Sequence, residues 1–237
     1  MHDTVALTAA LIACRSVTPN DAGCMALIEA ELSPCGFKTE YLDFGETRNL
    51  YMRRGTEGPL LVFLGHTDVV PVDGQPWTTS PFALTKKEDR LYGRGTCDMK
   101  GFLAVCLARV PDFVAAKLKR PIHFALSFDE EVGCVGAPLM IAEIGKRLAK
   151  RHELPFLDTD QEIESRCGAT IATIFDLEGE EGFRKRESKV IADVMALNDH
   201  VITTGGGAVL REENRQELKK GFVIYLDADP EQLWLRL

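Results

Sequence analysis

The chain has 237 residues, 45% of them hydrophobic, and a formal net charge of −8. That length supports one good core or two small ones, and the acidic balance argues against nucleic acid or an anionic membrane surface as a partner. No run approaches the roughly 18 apolar residues of a membrane span, Met1–Thr4 lacks the features of a secretion signal, and seven scattered cysteines without a C-x-x-C pair suit reduced cytoplasmic thiols.

In chain order, Val5, Leu7, Ala10, Leu11 and Ala13 fall at helical spacing, which predicts a helix over 4–15 capped by Asp3 or Thr4. A second helix follows Asn20-Asp21, runs through Met25, Leu27, Ile28 and Leu32, and stops near Pro34 and Gly36. Strands are predicted at Phe37–Leu42, Asn49–Arg53 and Leu60–Leu64, the last apolar enough for a strand buried on both faces. Then come a helix over Met99–Leu118, a buried strand at Ile122–Phe128 and, after an acidic loop, a helix over Leu139–Arg151. The remainder reads as a strand at Pro155–Leu157, helices at Asp160–Cys167 and Gly182–Leu197, a strand at His200–Thr203, a helix at Glu212–Lys219 and a strand at Phe222–Leu226. Alternating strands and helices predict an α/β fold with a mainly parallel, mixed sheet flanked by helices.

Three acidic clusters stand at successive strand ends. His66 and Asp68 follow the strand ending at Leu64, Asp98 follows Tyr92-Gly93-Arg94-Gly95 and precedes a helix, and Glu130 and Glu131 follow the strand ending at Phe128. A single strand-end acid ordinarily makes a salt bridge or a cap. Together, one imidazole and several carboxylates at the carboxyl edge of a sheet form a ligand set for Zn²⁺, Co²⁺ or Mn²⁺.

The stretches His66-Thr67-Asp68-Val69-Val70-Pro71, Tyr92 to Gly101 and Asp129-Glu130-Glu131 resemble the motifs of the M20 di-zinc deacylases and aminopeptidases, over about residues 1–144. The resemblance implies that His66 binds one zinc, Asp98 bridges two, and Glu131 binds the other. Glu130 is then the general base, and Asp68 orients His66. Two further family ligands, a carboxylate soon after the Glu-Glu loop and a distal histidine, have no motif-matched position, which leaves Glu143 or Glu153 as possible substitutes and implies partial metal occupancy. Residues 1–70 resemble succinyl-diaminopimelate desuccinylase and 71–144 acetylornithine deacetylase, so the implied substrate is an N-succinyl or N-acetyl amino acid.

Beyond residue 145 the motifs change. Pro155 to Glu164, Phe175 to Arg184 and Thr204-Gly205-Gly206-Gly207-Ala208-Val209 resemble shikimate kinase, which makes 145–237 a second, partial P-loop-kinase-like α/β region. The resemblance implies that Asp160 accepts hydrogen bonds from shikimate hydroxyls and acts as base, Arg184 holds the carboxylate, Gly205, Gly206 and Gly207 bring backbone amides to the substrate, and Asp158 supports Mg²⁺. Where that family carries G-x-x-x-x-G-K-[ST], the loop Asp129–Pro138 has three carboxylates and no lysine, and the lid arginines fall beyond Leu237. ATP, and Mg²⁺ with it, are therefore expected only for a complete kinase half. Leu139–Ile144 and Gly145–Arg151 join in frame as one helix, which suggests that Ile122–Phe128 replaces the kinase's first strand in one continuous sheet or two abutting ones. A third reading is an inactive recombinant or computed splice.

Overall fold

The computed structural model describes residues 3–55, 61–116 and 120–223. The chain divides into two compact units, Met1–Met140 and Ile141–Leu237.

The first unit opens with α1 (Thr4–Ala13), whose N-cap is Asp3; its carboxylate accepts from the Val5 amide at 2.9 Å. Helix α2 (Cys24–Leu32) begins where the Asp21 carboxylate accepts from Met25 N–H, and a short 3₁₀ turn over Ser33–Cys35 ends it at Gly36. Strands β1 (Lys38–Phe44) and β2 (Thr47–Arg54) make an antiparallel hairpin, followed by β3 (Leu61–His66). The sequence gives no warning of the next hairpin, β4 (Thr85–Lys87) with β5 (Arg90–Tyr92), because three-residue strands carry too little periodicity. Helix α3 (Lys100–Ala115) and strand β6 (Ile122–Ser127) complete the unit.

The main sheet has the order β1-β2-β6-β3. It is mixed: β2 pairs antiparallel with both β1 and β6, while β3 runs parallel to β6. Alternation along the strands builds two cores. Phe124 and Phe63 face α1, α2 and α3, packing with Leu11, Ile28, Leu103 and Leu107. Ala125, Val62 and Leu64 face the other way, toward Leu42 and Met140. β6 is buried along its length, as its composition predicts, but β3 is not. It lies at the edge of the described sheet, half-buried, with Leu61 exposed, so its apolar run marks two packed faces rather than two flanking strands.

Helix α4 (Gly136–His152) runs unbroken through the division between the units. Gly145 lies where a side chain would strike Phe156 Cε2, which would lie 2.7 Å from a Cβ. In the second unit, β7 (Phe156–Asp158) leads into α5 (Thr159–Cys167). A long helical stretch, α6 (Ile171–Met195), is interrupted at Gly179, and β8 (Val201–Thr203) and α7 (Glu212–Leu218) follow. The expected helix at Gly182–Leu197 is thus only the second arm of α6. Its first arm starts at Thr170, whose hydroxyl accepts from the Thr173 amide. Among the described residues, β7 and β8 pair with each other in parallel as a two-stranded sheet, separate from the sheet that holds β6. Ile163, Ile174, Phe183, Val190 and Val194 form this unit's core. The strand expected at Phe222–Leu226 lies largely outside the described residues. Among the described residues, no helix is long and apolar enough to cross a membrane.

Candidate functional site

The carboxyl ends of β3 and β6 lie side by side in the sheet, with His66 opposite Ser127. Each strand delivers its chemistry in the residues that follow. His66, Glu130 and Glu131 come together, with one ligand atom from each lying within 4.8 Å of the others. His66 Nε2 is 2.9 Å from Asp98 Oδ1 and 3.7 Å from Glu130 Oε2. His66 and Glu131, expected as zinc ligands, thus meet Glu130, expected as the general base, and Asp98, the expected bridging ligand, reaches the same imidazole.

The role of Asp68 differs in one respect from the expectation. His66 Nδ1 lies 3.1 Å from the Asp68 backbone carbonyl and 3.6 Å from its carboxylate, so the main chain is the nearer acceptor. A carbonyl only accepts, which fixes the proton on Nδ1 and leaves Nε2 facing the carboxylates. The fully buried Asp68 carboxylate instead ties the loops together, accepting from the Glu131 amide at 3.1 Å and the Thr18 hydroxyl at 3.0 Å. Its Oδ1 has no hydrogen-bond partner.

The electrostatics suit a cation. Burial pulls the His66 imidazole toward neutrality, but the Asp68, Asp98 and Glu130 carboxylates outweigh it and raise its pKa to about 9. Burial raises the Glu131 carboxyl, and the neighbouring Asp98 charge adds to it. For Asp68, burial is outweighed by His66 and the loop amides, which hold its carboxyl below the usual range. An imidazolium surrounded by acids is a proton occupying a position suited to a divalent ion. The donor set of one imidazole and three carboxylates fits zinc, cobalt or manganese.

Two residues that the sequence reading missed build this site. Asn49, fully buried on β2, donates to the Gly136 carbonyl at 2.8 Å and accepts from the Phe128 amide at 2.9 Å, clamping both ends of the Glu130–Glu131 loop. Any side chain at Gly136 would overlap the Phe128 carbonyl and come within 2.6 Å of Asn49 Oδ1. Lys100, fully buried, donates to the carbonyls of Leu11 and Cys14 at 2.9 and 2.6 Å and so anchors the Asp98 loop on the end of α1. A lone Asn in a strand and a Lys opening a helix give no periodic signal.

The second unit assembles its own cluster. Gly205 abuts Asp160, since a Cβ there would lie 3.3 Å from both carboxylate oxygens. Gly207 abuts Arg184, whose guanidinium a Cβ would overlap; Gly206 faces open space. Arg184 Nη1 donates to the buried Glu187 at 2.8 Å, and a depression of about 350 Å³ lined by Glu180, Glu181, Arg184, Leu210 and Arg211 opens beside it. Burial, reinforced by Asp158, Glu187 and Glu164, raises Asp160 to about 6 against the pull of Arg184. Asp158 is the N-cap of α5: it accepts from the Asp160 and Gln161 amides and from the Thr203 hydroxyl at 2.7 Å. Glu143 pairs with Arg147 at 2.8 Å on α4.

Comparison with known proteins separates the same two parts. The chain is 45% identical over 149 residues to succinyl-diaminopimelate desuccinylase of Methylococcus capsulatus, covering 62% of this chain and 40% of that protein. An M20 family metallo-carboxypeptidase of Sulfolobus solfataricus shares the fold, with a TM-score of 0.56 at 23% identity over 62% of this chain and 36% of that one. The shikimate kinase family model matches residues 142–237. Shikimate kinase of Acinetobacter baumannii is 43% identical over 40% of this chain and 53% of that one, with a TM-score of 0.36. The chain spans about 40% of the length of the curated desuccinylases it matches. It thus joins a segment matching the M20 succinyl-diaminopimelate desuccinylases to one matching shikimate kinase.

Proposed function

We propose that the first unit is the metal-binding half of an M20-type N-deacylase acting on the amide of an acylated amino acid. The observation that carries this reading is the meeting of His66, Glu130 and Glu131, with Asp98 bonded to the same imidazole. A divalent ion of the zinc class, when bound, supplies Lewis acidity toward the amide carbonyl. The chain's own groups do the rest. The Asp68 carbonyl keeps the proton on His66 Nδ1, so that Nε2 offers its lone pair, and Asp98 and Glu131 present carboxylate oxygens. Glu130 takes the proton of the attacking water and returns it to the leaving amine nitrogen. Identity to desuccinylases makes an N-succinyl amine the first substrate to test and N-acetyl the second. Because no motif-matched carboxylate follows the Glu130–Glu131 loop, we expect binding to survive better than turnover.

Metal analysis tests this directly. After loading and exhaustive dialysis, the protein should retain about one zinc per chain, and His66→Ala should retain none. Equal retention by both proteins, or none by either, would sink the reading.

A second reading rests on a separate observation, the contact of Gly205 with Asp160 and of Gly207 with Arg184. It assigns the second unit a shikimate-class ligand, a cyclic polyol carboxylate, with Arg184 pairing the carboxylate and Asp160 accepting from hydroxyls. Nucleotide is not part of it, because the loop 129–138 is acidic. Calorimetric titration with shikimate should give heat that Arg184→Ala removes; heat unaffected by that change would refute it.

A further inference from the structure

The glycine run of the second unit leads to a guanidinium that neither reading uses. The 3₁₀ turn Gly206–Leu210 continues from the glycines that abut Asp160 and Arg184 directly into Arg211, the N-cap of α7. That turn is pinned from α7. Asn214 Nδ2 donates to the Ala208 carbonyl at 2.9 Å, and Arg215 Nη1 donates to the Val209 and Leu210 carbonyls at 2.6 and 2.9 Å. Arg211 and Arg184 thereby line one depression of about 350 Å³, with the exposed Leu210 as its apolar wall and Glu180 and Glu181 as its acids. A volume of roughly 300–1,000 Å³ is usual for a small-molecule site.

The two guanidiniums are held differently. Arg184 is fixed from inside, its Nη1 donating to Glu187, which is 1% exposed. Among the described residues, Arg211 is held from outside, by Glu181 at 2.5 Å and Glu213 at 3.1 Å, side chains that are 67% and 61% exposed. Exposed pairs of this kind contribute little to stability. Glu181 also has a second favourable position. Gly179 breaks α6, so Glu180 and Glu181 open its second arm, where the helix N-terminus favours an acid without an arginine.

We propose that Arg211 is a second carboxylate-binding residue of this site, and that Glu181 holds its guanidinium until the carboxylate of a ligand displaces it. The proposal rests on the shikimate-class reading of the second unit. Arg184 Nη2 and Arg211 Nε carry no hydrogen bond among the described residues, so each guanidinium keeps a donor to offer. A carboxylate has two oxygens and about four lone-pair sites, enough to accept from both. Glu181 is then the ligand's rival for Arg211. Removing the acid and removing the arginine should move affinity in opposite directions.

Calorimetric titration of the full chain with shikimate tests this. Arg211→Ala should weaken binding about tenfold, and Glu181→Gln should tighten it about threefold. Combining the two changes should bind as weakly as Arg211→Ala alone, because the rival then has no arginine to release. A gain of affinity does not arise from a damaged fold, so Glu181→Gln decides the matter even if Arg211→Ala loses structure. Glu181→Gln binding no tighter than the parent would overturn the proposal, as would tightening that persists without Arg211. Arg211→Ala binding like the parent, while Arg184→Ala abolishes binding, would also overturn it and leave the shikimate-class reading standing. No binding by the parent, or binding indifferent to Arg184→Ala, would remove that reading and the proposal together.

Discussion

Two aspartates, the buried Asp68 in the first unit and the half-buried Asp160 in the second, have opposite environments. Asp68 sits at the end of β3 with an imidazole and two backbone or hydroxyl donors turned toward it, and its carboxyl is held low. Asp160 sits in the first turn of α5 among Asp158, Glu187 and Glu164, with one oxygen unpartnered, and its carboxyl is raised to about 6. Each has one oxygen without a hydrogen-bond partner, but the fold aims two donors at the other oxygen of Asp68 and sets acids around Asp160. Asp68 thus serves as internal scaffolding between its loops, whereas under the proposed shikimate-class reading Asp160 would take its donors from the ligand. The difference also fixes the sign of each one's effect on stability.

The largest expected effect tests whether the first cluster is scaffolded as described. Asn49→Leu removes both clamps on the Glu130–Glu131 loop and leaves the buried Phe128 amide without its acceptor. Urea unfolding should show a loss of about 2–4 kcal/mol, and zinc affinity should fall with it. An unchanged midpoint would mean that the loop holds itself. Nearly as large is the effect of pH on metal binding. With His66 raised to about 9, an incoming ion must displace a proton, so affinity should drop about tenfold for each pH unit below 9, read by competition with a chromophoric chelator. A flat profile between pH 6 and about 8 would show that His66 is not the ligand displaced.

Most of the first cluster is readable in sequence because its residues stand immediately after apolar strands. His66, Asp98, Glu130 and Glu131 are marked by position, and strand β6 by composition. The parts that are not readable act across the chain. Asn49 reaches 87 residues to Gly136, and Lys100 reaches 86 to Cys14. Neither contact leaves a local pattern. The edge position of β3 is hidden for the same reason, since strand order depends on pairing partners that composition does not name. In the second unit, the first arm of α6 escapes notice because Gly179 and Gly182 read as breakers, yet only Gly179 departs from helical geometry. Asp158, which the resemblance makes a support for Mg²⁺, also caps α5, a role its sequence position does not announce, its carboxylate accepting from Thr203, Asp160 and Gln161.

A smaller effect probes the second cluster. Because the Asp160 carboxyl is raised in the folded chain, the stability it contributes is present below the unfolded value of 3.8 and lost as pH rises through about 6. Asp160→Asn should therefore raise the unfolding free energy at neutral pH, by about 1–2 kcal/mol after allowance for solvent screening at a half-buried site, and should leave it nearly unchanged at pH 4. A site that stabilises the fold would lose stability on this change. A gain identifies a carboxylate kept for binding at the expense of the fold.

The smallest effect runs the other way and closes the comparison. Asp68 is depressed in the folded chain, so its stabilisation is present above 3.8 and disappears as pH falls through its lower folded value. Thr18→Val removes one of its two hydrogen-bond donors and keeps the Glu131 amide. The expected loss is about 1 kcal/mol at neutral pH, shrinking toward zero in acid, where the carboxyl is protonated in parent and variant alike. Measured side by side, Thr18→Val and Asp160→Asn should give stability differences of opposite sign, both largest at neutral pH and both fading in acid. If the two profiles shared a sign, the distinction between a carboxylate that the fold's own donors hold charged and one that its acidic neighbours hold protonated would fail, because only the direction of the folded-state shift separates them.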